Sequence, residues 1–269
     1  MTRAIAAAVL CLAAFASVTA QSAPSIYQRY APIDLTGTWV SIVTEDWDVR
    51  MLTPKKGDFH SLPLTRAAQD AANRIDMTQV EAAGRACEAY GAPAVMRHPG
   101  RVRIAWQDGA TIRMETNAGQ QTRLLHFTAS DARRGDPTLQ GFSAAEWQYA
   151  NGFDPLHLDE VGRARGGARG VRGGPGRGAA PTQPTGGRLK VATTNLTAGF
   201  LRKNGVPYSA DTTLTEYYNL LAEPTGTEWF VVTTVVHDPV NLAVDYITST
   251  NFRKEPDDSK FTPEPCTLR

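Results

Sequence analysis

The chain has 269 residues, 42% of them hydrophobic, which is enough for one large all-β domain or two small ones; one domain is the simpler reading. No apolar run approaches the roughly 20 residues of a membrane-spanning helix, which excludes an integral helical membrane protein. The formal net charge of +1 hides an asymmetry: setting aside Arg3 and the arginines Arg163, Arg165, Arg169, Arg172 and Arg177 leaves about −5 for the rest.

The N-terminus reads as a cleavable export signal. Arg3 opens it, Ala4 to Ala16 form an uncharged apolar run, and Val18-Thr19-Ala20 is a small-residue site with cleavage after Ala20. The mature chain is expected to be periplasmic or secreted, with residues 21–33 as an extension and 34–269 as a single domain. Cys11 leaves with the leader, so Cys87 and Cys266 remain in an oxidising compartment and are expected to pair; two free buried thiols are the competing reading. A bridge closing a loop of about 180 residues would contribute about 4–5 kcal/mol through loop entropy and staple the C-terminal tail to the body.

Alternation of apolar and polar residues marks nine strands, at 36–44, 102–107, 111–117, 121–127, 143–149, 189–195, 212–221, 228–237 and 246–254. Short strands in this number predict an all-β fold, a sandwich or a barrel. Helical sequence is confined to 65–83, where Thr65 can cap an Ala-rich amphipathic stretch, and to 239–244. Residues 161–187, mostly Gly, Arg, Ala and Pro, cannot bury enough apolar surface to offset their ordering entropy, so they read as a disordered insertion. No aromatic is interleaved with their arginines, so no nucleic acid is expected as a partner; contact with anionic lipid or polysaccharide is the alternative to a plain solvated loop.

Two hairpins can be put in register. With Ala118-Gly119 at the tip, Glu115 falls opposite Thr122 and Met114 opposite Arg123; with Thr225-Gly226 at the tip, Glu216 falls opposite Val235 and Tyr218 opposite Thr233. The better core face of the first carries Ile112, Met114, Arg123, Leu125 and Phe127. Arg123 is then expected to point inward and to need a carboxylate, Glu216 or Glu45, because an unpaired buried charge is costly. His126 then faces solvent or a covering loop. One face of the second hairpin carries Leu214, Glu216, Tyr218, Leu220, Trp229, Val231, Thr233, Val235 and His237; the opposite face, with Thr213, Thr215, Tyr217, Val232, Thr234 and Val236, is the competing interior. If the first face is inside, Glu216 and His237 lie diagonally in an apolar cavity. They would form a candidate acid–base pair, with Arg123 holding an anionic or carbonyl group.

The chain has no GxSxG, HExxH, Rossmann or P-loop pattern. His60, His98, His126, His157 and His237 show no metal-ligand spacing, so neither a metal nor a cofactor is expected. Glu45-Asp46-Trp47, with Arg50 and Met51, follows the first strand and mixes aromatic and charge as a binding mouth does; a surface loop with one half-buried Trp is the bland alternative. Residues 199–208 read as a structured loop with Gly and Pro turns.

Gly37-Thr38-Trp39, on the first strand ahead of a β-meander, resembles the G-x-W signature of lipocalins and the wider calycin group. The resemblance implies an antiparallel up-and-down (lipocalin-like) β-barrel with Trp39 plugging the closed end. The chain also resembles a family of uncharacterised exported bacterial proteins through TGTWVS, TPKKGDF, YGAPAVMRHPGR, LRKNGVPYS and YITSTNFRKEP. That second similarity implies no activity.

The expected function is binding of a small, largely apolar or amphipathic molecule in the barrel, with Trp39, Glu45, Trp47, Trp147, Tyr218 and Trp229 as candidate contacts. One alternative is a cofactor-independent isomerase, hydratase or cyclase using Glu216, His237 and Arg123. The other is an envelope structural or interaction protein with a filled barrel.

Overall fold

The computed structural model describes residues 23–128, 135–155 and 182–269; the expected export signal and nearly all of the Arg/Gly-rich segment lie outside these residues. The strands are β1 (Gly37–Ile42), β2 (Arg101–Asp108), β3 (Thr111–Thr116), β4 (Thr122–His126), β5 (Phe142–Tyr149), β6 (Gly187–Thr194), β7 (Gly199–Arg202), β8 (Val206–Tyr208), β9 (Thr213–Ala222), β10 (Glu228–His237) and β11 (Tyr246–Lys254). Nine of them close into a barrel in the order β1-β11-β10-β9-β6-β5-β4-β3-β2. These are the nine segments marked by alternation, to within two residues at each end. β7 and β8 pair separately, as a hairpin in place of the expected loop.

The sheet is mixed and departs from a purely antiparallel meander. β4 and β5 run parallel, with Leu125 beside Ser143 and His126 beside Ala144. A parallel pair needs a connection that recrosses the sheet. On the described part of that connection, Thr138 bridges Leu196 before β5 begins.

Alternate residues along each strand point into the barrel. Trp39, Ile104, Met114, Leu125, Leu189, Tyr218, Phe230 and Phe252 are all at most 1% exposed and belong to one apolar cluster. Trp39 meets Phe230 edge-on at 4.9 Å and Phe230 stacks on Phe252 at 4.5 Å, so side chains fill the centre. The Trp39 indole N–H donates to the Leu35 carbonyl at 2.9 Å, and Lys254 Nζ sits 5.2 Å over its ring. Gly37, at φ +117°, takes a backbone conformation that side chains resist, in close approach to Lys254.

The first hairpin has the expected register, Met114 opposite Arg123 and Glu115 opposite Thr122. The second is slipped by one residue: Glu216 faces Thr234 and Tyr218 faces Val232. The turn is the cause. Glu223 N–H donates to Thr227 O at 2.9 Å around Pro224-Thr225-Gly226, with Gly226 at φ +86°. Such a three-residue turn, opened by Pro and closed by a left-handed Gly, displaces the pairing expected for two tip residues. A slip of one turns a strand over. Phe230, Val232, Thr234 and Val236 therefore point inward, and Trp229, Val231, Thr233, Val235 and His237 point outward.

The barrel is covered at both ends. At the mouth, where β1 begins, α1 (Ile26–Arg29) packs across the opening: Tyr27 stacks on Phe127 at 5.2 Å and its carbonyl accepts the Trp147 indole N–H at 2.9 Å. The opposite end carries a cap made of α2 (Trp47–Arg50), α3 (Arg66–Arg74), α4 (Met77–Ala82), a 3₁₀ turn (Ala86–Tyr90), α5 (Ala92–Val95) and the β7–β8 hairpin. The helix expected over 65–83 is two helices, because Ile75 is extended and Asp76 caps a new start by accepting from Thr78 N–H at 3.0 Å. Residues 239–244 form a turn instead of a helix, held by Asp238, which accepts from Asn241 and Ser209. Cys87 and Cys266 are disulfide-bonded across 179 residues, and Tyr90 Oη donates to Thr267 O at 2.9 Å beside the bridge. No helix among the described residues is long and apolar enough to cross a membrane.

Candidate functional site

Arg123 and Glu216 meet inside the barrel because the parity of β4 and β9 turns both inward. Arg123 Nη1 donates to Glu216 Oε1 at 3.0 Å and Nη2 to Oε2 at 2.5 Å. The two side chains are 1% and 0% exposed. Arg123 Nη2 also donates to Thr193 Oγ1 at 3.2 Å, Thr193 and Ser143 share a 2.8 Å hydrogen bond, and Tyr218 Oη donates to Glu216 Oε1 at 3.2 Å. Burial works against the Arg123 charge, but the Glu216 carboxylate outweighs it and holds the guanidinium above its usual range. Burial, then Glu216, pushes the Tyr218 phenol upward. Both carboxylate oxygens are thus engaged, in a place sealed from solvent.

Of the two carboxylates expected to reach Arg123, Glu45 lies elsewhere, on Arg50 at 3.0 Å and Arg97 at 3.4 Å. His237 lies away from the place expected for it. The register slip puts it on the outer face of β10, 59% exposed, with Nδ1 2.8 Å from Asp245 Oδ1, so the Glu216/His237 pair does not form. Trp229 is turned outward by the same slip, and Trp47 is 64% exposed on α2. Trp39 and Tyr218 belong to the filled centre. His126 stacks on Phe142 at 5.2 Å.

Two candidate contacts line open recesses: Glu45 one of about 730 Å³ beside Arg97 and Tyr246, and Trp147 an aromatic cleft at the other end. The cleft lies at the mouth, about 390 Å³ in volume, bounded by Pro32, Leu35, Ile104, Trp106, Ile112 and Trp147. Register builds it: Gly37 pairs with Ile104, so β2 runs on past the start of β1 and carries Trp106 beyond the closed part of the wall. Phe127 sits between the two indoles, 5.5 Å from Trp106 and 5.1 Å from Trp147. Gln28, Asp34 and Thr36 add polar groups at the edge. Trp106 was within reach of sequence reasoning, since it shares the parity of Val102 and Ile104, both buried. Among the described residues, no three His, Cys, Asp or Glu side chains are grouped to hold a metal ion.

Fold and cleft together define a closed nine-stranded β-barrel protein with an aromatic recess at one end. Compared with known proteins, the chain matches no family model, no curated protein and no solved structure.

Proposed function

We propose that the protein is an exported, calycin-like barrel that binds a small, largely apolar molecule in the cleft at its mouth. The observation that carries this reading is the cleft itself: about 390 Å³, walled by two indoles and aliphatic side chains, with a few polar groups at its edge. That size falls within the range of small-molecule sites. Export is supported by the sequence of residues 1–20 and by the Cys87–Cys266 disulfide, which fits an oxidising compartment. Kinship with lipocalins, and a single domain interrupted at about 161–187, belong to the same proposal.

The filled centre favours a second reading, an envelope structural or interaction protein that acts through its surface. Titration with the neutral fluorophore N-phenylnaphthylamine separates the two. The first reading expects saturable binding that Trp147→Ala weakens by at least about tenfold, with circular dichroism unchanged. No saturation, or full affinity in Trp147→Ala, would remove the cleft as a ligand site and leave the surface reading. Solvent extraction of protein purified from its own periplasm would then identify any resident molecule.

A further inference from the structure

The cap holds a second set of buried cations, arranged differently from Arg123. Arg202, at the end of β7, is 8% exposed, and neither Nη1 nor Nη2 has a hydrogen-bond partner among the described residues. Arg50, at the end of α2, is also 8% exposed. Its Nε donates to Arg97 O at 3.0 Å and its Nη1 to Glu45 at 3.0 Å, while Nη2 is buried without a partner. Both arginines line one cavity of about 60 Å³ between residues 49–54 and the β7–β8 hairpin, which Arg97, His98, Lys203 and Arg269 also border. Among the described residues, no Asp or Glu side chain lines it, and the Arg269 main-chain oxygen on its wall accepts from Lys203 Nζ at 3.0 Å.

The nearby carboxylates are already engaged. Glu45 is shared by Arg50 and Arg97, and Asp46 accepts from Arg97 at 2.6 Å. Burial, reinforced by Arg97, lowers Arg50 to about 10, which leaves it charged at neutral pH. A charged donor buried without an acceptor is among the least favourable arrangements a fold can hold. Water in the cavity could accept these hydrogen bonds but could not balance the charge. The space suits a small group, and a guanidinium fork matches the paired oxygens of an oxyanion.

We propose that this cavity is an oxyanion-binding site, in which Nη2 of Arg50 and both terminal nitrogens of Arg202 hold a carboxylate, phosphate or sulfate group. The oxyanion is either a free inorganic ion or the head group of a small organic acid. Met51 and Leu52, 58% and 65% exposed at the rim, offer an apolar surface for an attached body. The site lies at the opposite end of the barrel from the aromatic cleft, so each can fail without the other.

Thermal denaturation of the full chain tests this. Protein exchanged into chloride buffer is titrated at constant ionic strength with phosphate, sulfate, butyrate or octanoate. A saturable rise in midpoint of roughly 2–4 °C over chloride is expected for the anion that fits. Phosphate or sulfate acting best identifies an inorganic ion; octanoate exceeding butyrate identifies an organic acid. Arg202→Met should abolish the rise. It should also be at least as stable as the wild type in chloride, because it removes an uncompensated buried charge, so loss of the response is not loss of folding. The proposal is overturned if no anion acts beyond chloride, or if the same rise persists in both Arg202→Met and Arg50→Lys. It is also overturned if Arg202→Met is less stable than the wild type in chloride.

Discussion

Arg123 in the barrel and Arg202 in the cap are both buried, yet among the described residues a carboxylate side chain pairs with the first and none with the second. The barrel wall is a continuous hydrogen-bonded ladder that sets the depth and facing of every inward side chain. Arg123 can therefore meet Glu216, Thr193 and Ser143 at positions the ladder holds. The cap is assembled from short helices, a two-stranded hairpin and the C-terminal tail. The carboxylates beside Arg50, Glu45 and Asp46, are taken by Arg50 and Arg97, and Arg202 is left facing a cavity. Within one molecule, a paired buried charge reads as part of the scaffold, and an unpaired one as a place for something from outside.

Unpairing the barrel should have the largest effect. Glu216→Gln leaves Arg123 uncompensated and should cost about 3–5 kcal/mol in urea denaturation, while the double replacement Arg123→Met with Glu216→Leu should recover most of that loss. A cost below about 1 kcal/mol for Glu216→Gln would mean that the pair does not anchor the barrel. Next in size is the bridge that ties the tail to the cap. Cys266→Ser should lose about 2–5 kcal/mol, and it should weaken the anion response of the cap without changing probe binding at the mouth.

The remaining effect is a pH dependence confined to the cap. His98 stacks on Tyr90 at 4.3 Å, and its Nε2–H donates to Ala89 O at 2.8 Å. Burial pushes its imidazole down to about 4, and Lys203 and Arg50 add to the shift, while the Ala89 bond opposes it. The folded state therefore takes up its proton at lower pH than the unfolded chain, whose imidazole titrates near 6.5. Stability from this group is complete above about pH 6.5 and is lost as pH falls toward 4. Denaturation midpoints across that window should fall less in His98→Gln than in the wild type. Sulfate bound at Arg50 and Arg202 should flatten the wild-type slope by offsetting the nearby charge. An identical acid response in His98→Gln would place the titrating group elsewhere.

Much of the barrel was legible because burial on one side of a strand leaves a period-2 trace that needs no knowledge of the partner strand. The first hairpin followed as well, since Gly119, at φ +72°, sits where a turn needs a left-handed residue. Parity then sent Arg123 inward and demanded a carboxylate for it. The second hairpin defeated the same method because Thr225-Gly226 and Pro224-Thr225-Gly226 are both plausible turns, and the choice between them inverts β10. His237 and Trp229 were misplaced for that reason alone.

The amino-acid order alone set where the strands lie, which residues of each share a face, and that Cys87 and Cys266 are the two cysteines beyond the N-terminal apolar run. These properties are set by a few neighbours along the backbone. Long-range packing set that β4 and β5 run parallel, that Glu216 and not Glu45 completes Arg123, and that Trp106 and Trp147 flank a recess. It also decided that Arg50 and Arg202 face one cavity. Each depends on how the sheet closes and which distant segments pack over its ends, and no local pattern of side chains encodes that closure.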